Sequence, residues 1–255
     1  MSDIRSISRV AALGFAALST GFAVQAAALT EDFGVVVPTG WTVVNNSTTL
    51  GATSWFQGNS TVFTAQAGAA DSYAGANFNA VGNDPLNVDN ISSWLISPTL
   101  SFDNGDLISF FSRTVTVPAF PDRLELRFSN VGGVVVGTSD SSVGTFTSLL
   151  LTINPTLTTS GYPSTWTNYT ATITGLSGPT SGAIAFRYFV VDGGPSGNNS
   201  DYIGVDTLTI TAVSEPATYL LMALGAFVLR RNRAWRGTVS SPYPDYAGGA
   251  HAPPA

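Results

Sequence analysis

Between residues 29 and 211, short apolar runs alternate with clusters of Gly, Pro, Asn, Asp, Ser and Thr, and no helical period is evident. The polar clusters recur roughly every 8–15 residues, close to the spacing of strands and turns in a β-sandwich or barrel. The runs between them are rich in Val, Ile, Phe, Thr and Tyr, which favour β-strands. The pattern therefore predicts one all-β domain over residues 29–211.

Five runs give the strongest strand predictions, and two of them also predict which side chains are buried. In Asp122–Phe128 the leucines and the Phe fall on one face and Arg123, Glu125 and Arg127 on the other, which predicts one face in solvent. In Leu107–Ser112 the alternation is blurred, which predicts burial on both faces. The other three predicted strands are Tyr169–Ile173, Ala183–Val190 and Tyr202–Ile210.

The N-terminal residues 1–28 have the three parts of a secretory signal peptide. Arg5 and Arg9 form a positive n-region, and an apolar run follows them. Small residues then provide cleavage sites of the A-x-A type, after Ala26 or Ala28. The segment predicts export across the inner membrane, and it favours the Sec route because two adjacent arginines are absent. A buried N-terminal helix is the alternative.

A second apolar segment, Ala217–Leu229, lies near the C-terminus and is followed at once by Arg230, Arg231 and Arg233. Its 13 residues would form a helix of roughly 20 Å, shorter than the ~30 Å hydrocarbon core of a bilayer. The run is apolar on all sides, and the arginines after it follow the positive-inside pattern. These features predict a short membrane-anchor helix, the alternative being an amphipathic or buried helix.

Residues 212–236 as a whole resemble the PEP-CTERM sorting signal of Gram-negative bacteria. Three elements match in fixed order: a motif, the apolar run and the arginine cluster; the motif residues are Ser214, Glu215, Pro216, Ala217 and Thr218. The resemblance implies recognition by exosortase, a membrane enzyme that cleaves near the Glu-Pro motif, after transient anchoring in the inner membrane. Ser214 stands where the family usually has Pro, and the tail Gly237–Ala255, predicted to be disordered, extends beyond the usual end. A plain membrane anchor is the alternative.

The composition narrows the chemistry that the domain can perform. The chain has no Cys, and its one His is His251, which argues against a disulfide framework, a thiol nucleophile and a Ser-His-Asp triad. Only 10% of the residues are charged and the net charge is −6, which argues against nucleic acid as a partner. Residues 29–213 hold 13 acidic residues and four arginines, so the domain without its basic ends carries −9.

A second resemblance covers nearly all of residues 29–211. Its segments, in chain order, are Glu31–Phe33, Pro38–Trp41, Trp55–Gly58, Ser92–Leu100, Phe102–Arg113 and Tyr202–Asp206. They resemble the choice-of-anchor J domain, which is similar to the cleaved-adhesin domains of bacterial surface proteins and more distantly to MAM domains. The resemblance implies a jelly-roll β-sandwich in an exported protein with a C-terminal anchor. It implies adhesion or carbohydrate binding as the function.

Two carboxylates are predicted to lie on apolar strand faces. Period-2 alternation places Glu31 with Leu29, and Asp206 with Leu208 and Ile210. Because the first and last strands of a jelly roll often pair, the two carboxylates can meet, and a structural Ca²⁺ would satisfy both. Related sandwich domains often hold such an ion, so the resemblance implies the same. Pairing with Arg or backbone N–H groups, or exposure at a strand edge, is the alternative.

Aromatic residues give a prediction of glycan binding. Trp55 and Trp166 lie beside polar residues, so we predict that they are exposed and stack on sugar rings. Trp94 lies in an apolar strand and is predicted to belong to the core. Asp122 and Glu125 are the candidate pair for glycoside hydrolysis, but their three-residue offset puts them on opposite faces of a strand. No catalytic residue is therefore predicted.

Together these features predict an exported protein of the cell surface or extracellular matrix that is sorted by exosortase. Its expected role is structural or adhesive and non-catalytic, with exopolysaccharide or a cell-surface glycan as partner. Ca²⁺ is the candidate cofactor. A carbohydrate-binding module with a defined glycan ligand is the second hypothesis, and a glycoside hydrolase is the third.

Overall fold

The structure is a computed structural model that describes residues 28–82, 86–132 and 134–213. The predicted signal peptide up to residue 27, and the sorting motif, anchor segment and tail from Ser214 onward, lie outside the described residues. The described part of the chain contains no helix long and apolar enough to cross a membrane.

Within the described ranges the chain forms strands and one short 3-10 helix, Phe78–Ala80. The strands are β1 (Leu29–Glu31), β2 (Thr42–Asn45), β3 (Phe56–Gln57), β4 (Ala74–Asn77), β5 (Asp89–Ile96), β6 (Leu100–Phe102), β7 (Leu107–Thr114), β8 (Leu124–Ser129), β9 (Ser148–Ile153), β10 (Thr167–Thr172), β11 (Thr180–Gly193) and β12 (Tyr202–Thr211). All five of the strongest strand predictions fall on strands of this set.

The strands form two six-stranded sheets. The front sheet has the order β10-β7-β12-β4-β3, with β1 beside β12. The back sheet has the order β2-β5-β11-β8-β9, with β6 beside β11. The strand pairs of the described residues are antiparallel. The predicted all-β fold and its two-sheet architecture are confirmed.

β12 organises the front sheet. Its first half, Tyr202–Val205, pairs with β4, and its second half, Leu208–Ile210, pairs with β1. β7 runs along the other edge of β12 over most of its length. The expected pairing of the first and last strands is thus found, with Leu29 opposite Ile210.

The main core lies between the two sheets, where alternate residues of facing strands meet. Ile108 and Phe110 point into it from β7, and Ile184 and Phe186 point into it from β11. The rings of Phe110 and Phe186 contact each other edge to face, with centroids 4.9 Å apart. The prediction that β7 is buried on both faces is wrong, because burial alternates along it and Leu107 is 40% exposed.

One surface that was predicted to face solvent is covered. β8 turns Leu124 and Leu126 into the core and Glu125 and Arg127 outward, as the alternation predicts. Glu125 is nevertheless only 6% exposed. The reason is the segment 134–146, which lies across the outer face of the back sheet and contacts its outward side chains. The predicted solvent exposure of this face is therefore wrong.

Candidate functional site

The outer face of the back sheet is sealed by the segment 134–146. Val136 and Phe146 of this segment pack on Trp94 and Ile96 of β5 and form a second hydrophobic cluster. The ring centroids of Trp94 and Phe146 are 5.7 Å apart. Trp94 is fully buried, as predicted, but it lies in this outer cluster rather than between the sheets.

A buried arginine joins the covering segment to the back sheet. Nη1 of Arg187 lies 3.2 Å from Oε2 of Glu125, and Nε donates to Oγ of Ser92 at 3.1 Å. Nη2 donates to the main-chain carbonyl of Asp140. The guanidinium carbon lies 3.7 Å from the centre of the Phe189 ring. Burial lowers the pKa of Arg187 to about 10 and Glu125 opposes that shift, so the cation is desolvated but paired.

The part of the front sheet's outer face that the loop 58–73 leaves uncovered is built largely from hydroxyl side chains. Thr30, Thr209, Ser109 and Thr170 lie opposite one another on β1, β12, β7 and β10, so they form one row across four adjacent strands. Adjacent strands are ~4.8 Å apart, so the row presents a hydroxyl at each step and spans roughly 14 Å. The sheet therefore displays a regular array of hydrogen-bonding groups.

A second row lies beside the first, with Thr211, Leu107 and Thr172 on β12, β7 and β10. We call the two rows, residues 30, 107, 109, 170, 172, 209 and 211, the threonine face. All seven residues are uncharged. Within the described part of the chain, no hydrogen bond uses the hydroxyls of Thr30 or Thr170, and both residues are exposed. The threonine face is therefore open, neutral and able to accept a ligand.

A β-bulge in β12 decides the position of Asp206. The register with β7 shifts between Asp206 and Thr209, and Thr207 has a φ of 48°. Asp206 lies opposite Phe111 on the outer face, whereas Leu208 points into the core. The prediction that Asp206 shares a face with the following apolar residues is wrong, because the extra residue of the bulge shifts the period-2 alternation.

Asp206 is completely buried. Oδ2 accepts hydrogen bonds from the backbone N–H groups of Gln66 at 2.7 Å and Ala67 at 3.2 Å. Oδ1 accepts from the backbone N–H of Thr207 at 2.6 Å. Burial raises the pKa of Asp206, and these hydrogen bonds oppose the rise. The alternative of pairing with backbone N–H groups therefore describes Asp206 in this structure.

Glu31 lies on the opposite face of the front sheet. It shares its face with Leu29, which packs against the core, and its Oε1 accepts a hydrogen bond from the backbone N–H of Phe33 at 2.9 Å. Burial raises the pKa of Glu31, and this hydrogen bond opposes the rise. Among the residues that the structure describes, no group of three or more His, Cys, Asp or Glu side chains is arranged to hold a metal. Calcium binding by Glu31 and Asp206 stays a prediction.

Both tryptophans that were predicted to bind glycan pack against protein. Trp55 is only 5% exposed, and its indole N–H donates to the carbonyl of Ser93 at 3.2 Å. The expectation that Trp55 lies on the surface is therefore wrong. Trp166 is half-buried, with its ring 5.5 Å from that of Phe63 and 5.7 Å from that of Tyr73.

Trp166 fixes the loop 58–73 to the outer face of the front sheet. Its indole N–H donates to the carbonyl of Thr64 at 2.9 Å. The ring lies directly over Gly204, where an added Cβ would be 2.8 Å from Cη2 of Trp166, so glycine is required for this close approach. A structural role is thus visible for Trp166, and its stacking on sugar stays a prediction.

Asp122 and Glu125 lie on opposite sides of the back sheet. Asp122 is completely buried, and its carboxylate accepts hydrogen bonds from Tyr188 Oη at 2.5 Å, Thr114 Oγ1 at 2.7 Å and the Asp201 backbone N–H at 2.7 Å. Burial raises the pKa of Asp122 to about 6. Glu125 instead faces the arginines of the outer face. The two carboxylates do not share a cleft, so they do not form the pair that glycoside hydrolysis needs.

Comparison with solved structures places the described domain among β-sandwiches. The K1 cleaved adhesin domain of Lys-gingipain from Porphyromonas gingivalis W83 matches with a TM-score of 0.50 and 20% identity, over 74% of this chain and 99% of that domain. The chain has an adhesin-like fold. The K3 domain of the same protein gives a TM-score of 0.49 at 18% identity, over 73% of this chain and 98% of the domain.

A family 11 carbohydrate-binding module from Clostridium thermocellum, in complex with a β-1,3-1,4-mixed-linked tetrasaccharide, gives a TM-score of 0.34 at 14% identity. That match covers 74% of this chain and 96% of the module. No family model and no curated protein matches the sequence. At these identities the likeness concerns the fold alone, and a shared fold does not imply a shared function.

Proposed function

We propose that the protein is an exported, non-catalytic adhesion protein of the cell surface or extracellular matrix, which binds neutral exopolysaccharide across the threonine face. The observation that carries the proposal is the row of Thr30, Thr209, Ser109 and Thr170 across four adjacent strands. Thr30 and Thr170 of this row are exposed and Thr209 and Ser109 are half-buried, whereas the outward side chains Trp94, Ile96 and Arg187 of the back sheet are covered.

The chemistry of the threonine face fits a neutral glycan. Each hydroxyl both donates and accepts hydrogen bonds, as sugar hydroxyls do. The threonine methyl groups and Leu107 provide apolar surface for the C–H groups of a sugar ring. A single hydroxyl contact contributes little net free energy, about 0.5–1.5 kcal/mol. A polymer that contacts several hydroxyls at once accumulates these contributions, and repeated weak contacts suit adhesion to a matrix.

The route to the surface is part of the same proposal and rests on the sequence. Residues 1–28 would direct export, and residues 212–236 would be recognised by exosortase at the inner membrane and cleaved near Glu215 and Pro216. The β-sandwich itself is proposed to be a jelly-roll choice-of-anchor J domain, on the strength of the sequence resemblance. A double substitution, Glu215→Ala with Pro216→Ala, should block processing in a host that has exosortase. A mature mass that the substitution leaves unchanged would count against sorting.

A structural Ca²⁺ at Glu31 or at Asp206, which lie on opposite faces of the front sheet and so do not share one ion, is a separate proposal taken from the sequence. Its test is the melting temperature of the purified protein with Ca²⁺ and with a chelator. A rise with Ca²⁺ that is lost in Asp206→Asn supports the ion. An identical melting temperature with Ca²⁺ and with the chelator contradicts the proposed Ca²⁺ site.

The glycan proposal is tested with the double variant Thr170→Val and Thr209→Val, which removes two hydroxyls and keeps the shape and strand propensity of the side chains. The matched control is Thr39→Val with Thr99→Val, because both residues are exposed and lie outside the threonine face. Retention on a panel of immobilised neutral polysaccharides should fall at least fivefold for the first variant and stay unchanged for the control. Equal retention of both variants contradicts the assignment of the face.

A further inference from the structure

A pocket of about 160 Å³ opens at one end of the sandwich, away from the threonine face. It lies between the 3-10 helix, the loop that leads from β7 to β8 and the loop that leads from β11 to β12. The residues that line it are Phe78, Ala119, Phe120, Gly194, Pro195, Gly197, Ser200 and Asp201. Two aromatic rings and a proline thus surround one ionisable side chain.

The main-chain polar groups of the pocket are largely used within the protein. The N–H of Gly194 donates to Oγ of Ser200 at 2.9 Å, and the N–H of Gly197 donates to the carbonyl of Gly194 at 3.0 Å. The N–H of Ser200 donates to the carbonyl of Pro121 at 2.9 Å, and that of Asp201 donates to the buried Asp122. These groups have little capacity left for a ligand.

The carboxylate of Asp201 is different because its charge is poorly compensated. It is half-buried and accepts a hydrogen bond from the backbone N–H of Ala119, whereas a carboxylate can accept about four. Among the residues that the structure describes, no Arg, Lys or His lines the pocket. Burial raises the pKa of Asp201. The negative charge of Asp201 also contributes to raising the pKa of the nearby Asp122. Desolvation of a charge without a cationic partner is costly, so a cation placed here would be stabilised.

The aromatic walls favour the same ligand. Phe120 is 43% exposed, and Phe78 is half-buried beside it. The face of an aromatic ring attracts a cation, and this attraction adds to that of the carboxylate. A neutral sugar would need several hydrogen-bonding partners, which this pocket does not offer. One carboxylate between two rings and a proline is the arrangement that suits an organic cation.

We propose that this pocket binds the ammonium group of a small organic cation, with Asp201 as its counter-ion and Phe78 and Phe120 as its walls. Two kinds of molecule carry such a group: a quaternary ammonium compound of the choline type and an amino sugar with a primary amine. Both share the chemistry that the pocket recognises. The proposal goes beyond the proposed function and is independent of it, since the pocket and the threonine face have no residue in common.

The test is calorimetric titration of the purified full chain with three probes. Choline carries the cation, 3,3-dimethyl-1-butanol is its neutral isostere, and D-glucosamine is the amino sugar. We expect choline or glucosamine to bind at least tenfold more tightly than the neutral isostere. Binding of one and not the other identifies the source of the amine. Equal affinity for choline and its isostere, or no binding of either amine, overturns the proposal.

Variants test the roles of the two kinds of group. Asp201→Asn should weaken amine binding at least tenfold, whereas Asp103→Asn, a carboxylate outside the pocket, should leave it unchanged. Phe120→Leu removes the aromatic face and keeps apolar bulk, so it should weaken amine binding severalfold without changing the affinity for the isostere. This second variant keeps the test decisive if Asp201→Asn does not fold. Amine binding that survives both substitutions overturns the assignment of these residues.

Discussion

The outer faces of the two antiparallel sheets differ in how far the rest of the chain covers them. The back sheet turns Trp94, Ile96 and Arg187 outward, and a segment of its own chain covers them. The front sheet turns Thr30, Thr170 and their row neighbours outward beyond the loop 58–73; Thr30 and Thr170 are exposed, and Thr209 and Ser109 are half-buried. Threonine combines the β-branched shape that suits a strand with a hydroxyl that suits solvent. A covered face must be held by packing and paired charges, whereas an open face is held by the strands alone and is free to bind.

The largest expected effect comes from breaking the seal on the back sheet. Phe146→Ala removes the ring that packs on Trp94 and leaves a cavity beneath the segment 134–146, so the free energy of unfolding should fall by about 3–5 kcal/mol. Equilibrium urea denaturation measures the change. Val131→Ala is the matched control, because Val131 is 65% exposed. If both substitutions cost the same, the segment does not seal the face.

The second effect concerns two buried carboxylates, of which one has a cationic partner and the other has none within the described ranges. Glu125 faces two arginines, whereas Asp122 accepts only hydrogen bonds from neutral groups, and burial raises its pKa from the ordinary 3.8 to about 6. Between these two pH values the folded state binds more protons than the unfolded state. The contribution of Asp122 to stability should therefore be full below pH 4 and fall by about 3 kcal/mol as the pH rises past 6.

This prediction is measured as a difference between two pH profiles. Urea denaturation of the wild type and of Asp122→Asn from pH 4 to pH 7 isolates the titration of Asp122 from that of other groups. The stability difference should move in favour of the variant as the pH rises. Parallel profiles would show that Asp122 does not titrate in this range.

A smaller effect is expected where the covered charge loses its partner. Glu125→Gln keeps the size of the side chain and removes the negative charge beside Arg187, so the free energy of unfolding should fall by about 1–3 kcal/mol. Denaturation at pH 7 gives the value, and Asp103→Asn, outside the covered face, is the control. A neutral result for Glu125→Gln would mean that Ser92 and the carbonyl of Asp140 suffice to hold the guanidinium.

The smallest effect is expected on the open face. Thr170→Val with Thr209→Val should change the free energy of unfolding by less than about 0.5 kcal/mol, because neither hydroxyl is used within the described part of the chain. The same denaturation assay checks it. A large loss would show that the threonine face contributes to stability, and it would remove the contrast with the back sheet.

The fold could be predicted from the sequence better than the site could. Strand patterns depend on neighbouring residues, whereas the site depends on contacts between residues far apart in the chain. Alternation within Asp122–Phe128 correctly assigned the inward leucines, since that pattern is local. It could not reveal that Glu125 would be covered by a segment that follows later in the chain. Trp55 was misplaced for the same reason, because its neighbour Ser93 is distant in sequence.

The front sheet shows two further limits. Asp206 was assigned to the wrong face because a bulge at Thr207 adds one residue to the strand, and the sequence carries no clear signal for it. The alternation of Thr207, Thr209 and Thr211 was visible in the sequence. That this alternation forms part of a surface array depends on β1, β7 and β10 extending the same row. Local sequence patterns do not predict the order of strands in a sheet.

The central position of β12 also determines how the domain would carry a mechanical load. Any tension on the chain beyond Val213 enters through β12, which is flanked by β7 on one side and by β4 and β1 on the other. A force along this strand loads its hydrogen bonds with β7, β4 and β1 simultaneously, in shear. It does not break them one after another, as a force that peels an edge strand off a sheet would. A polymer held on the threonine face contacts the same strands, so the load would pass from ligand to chain end within one sheet.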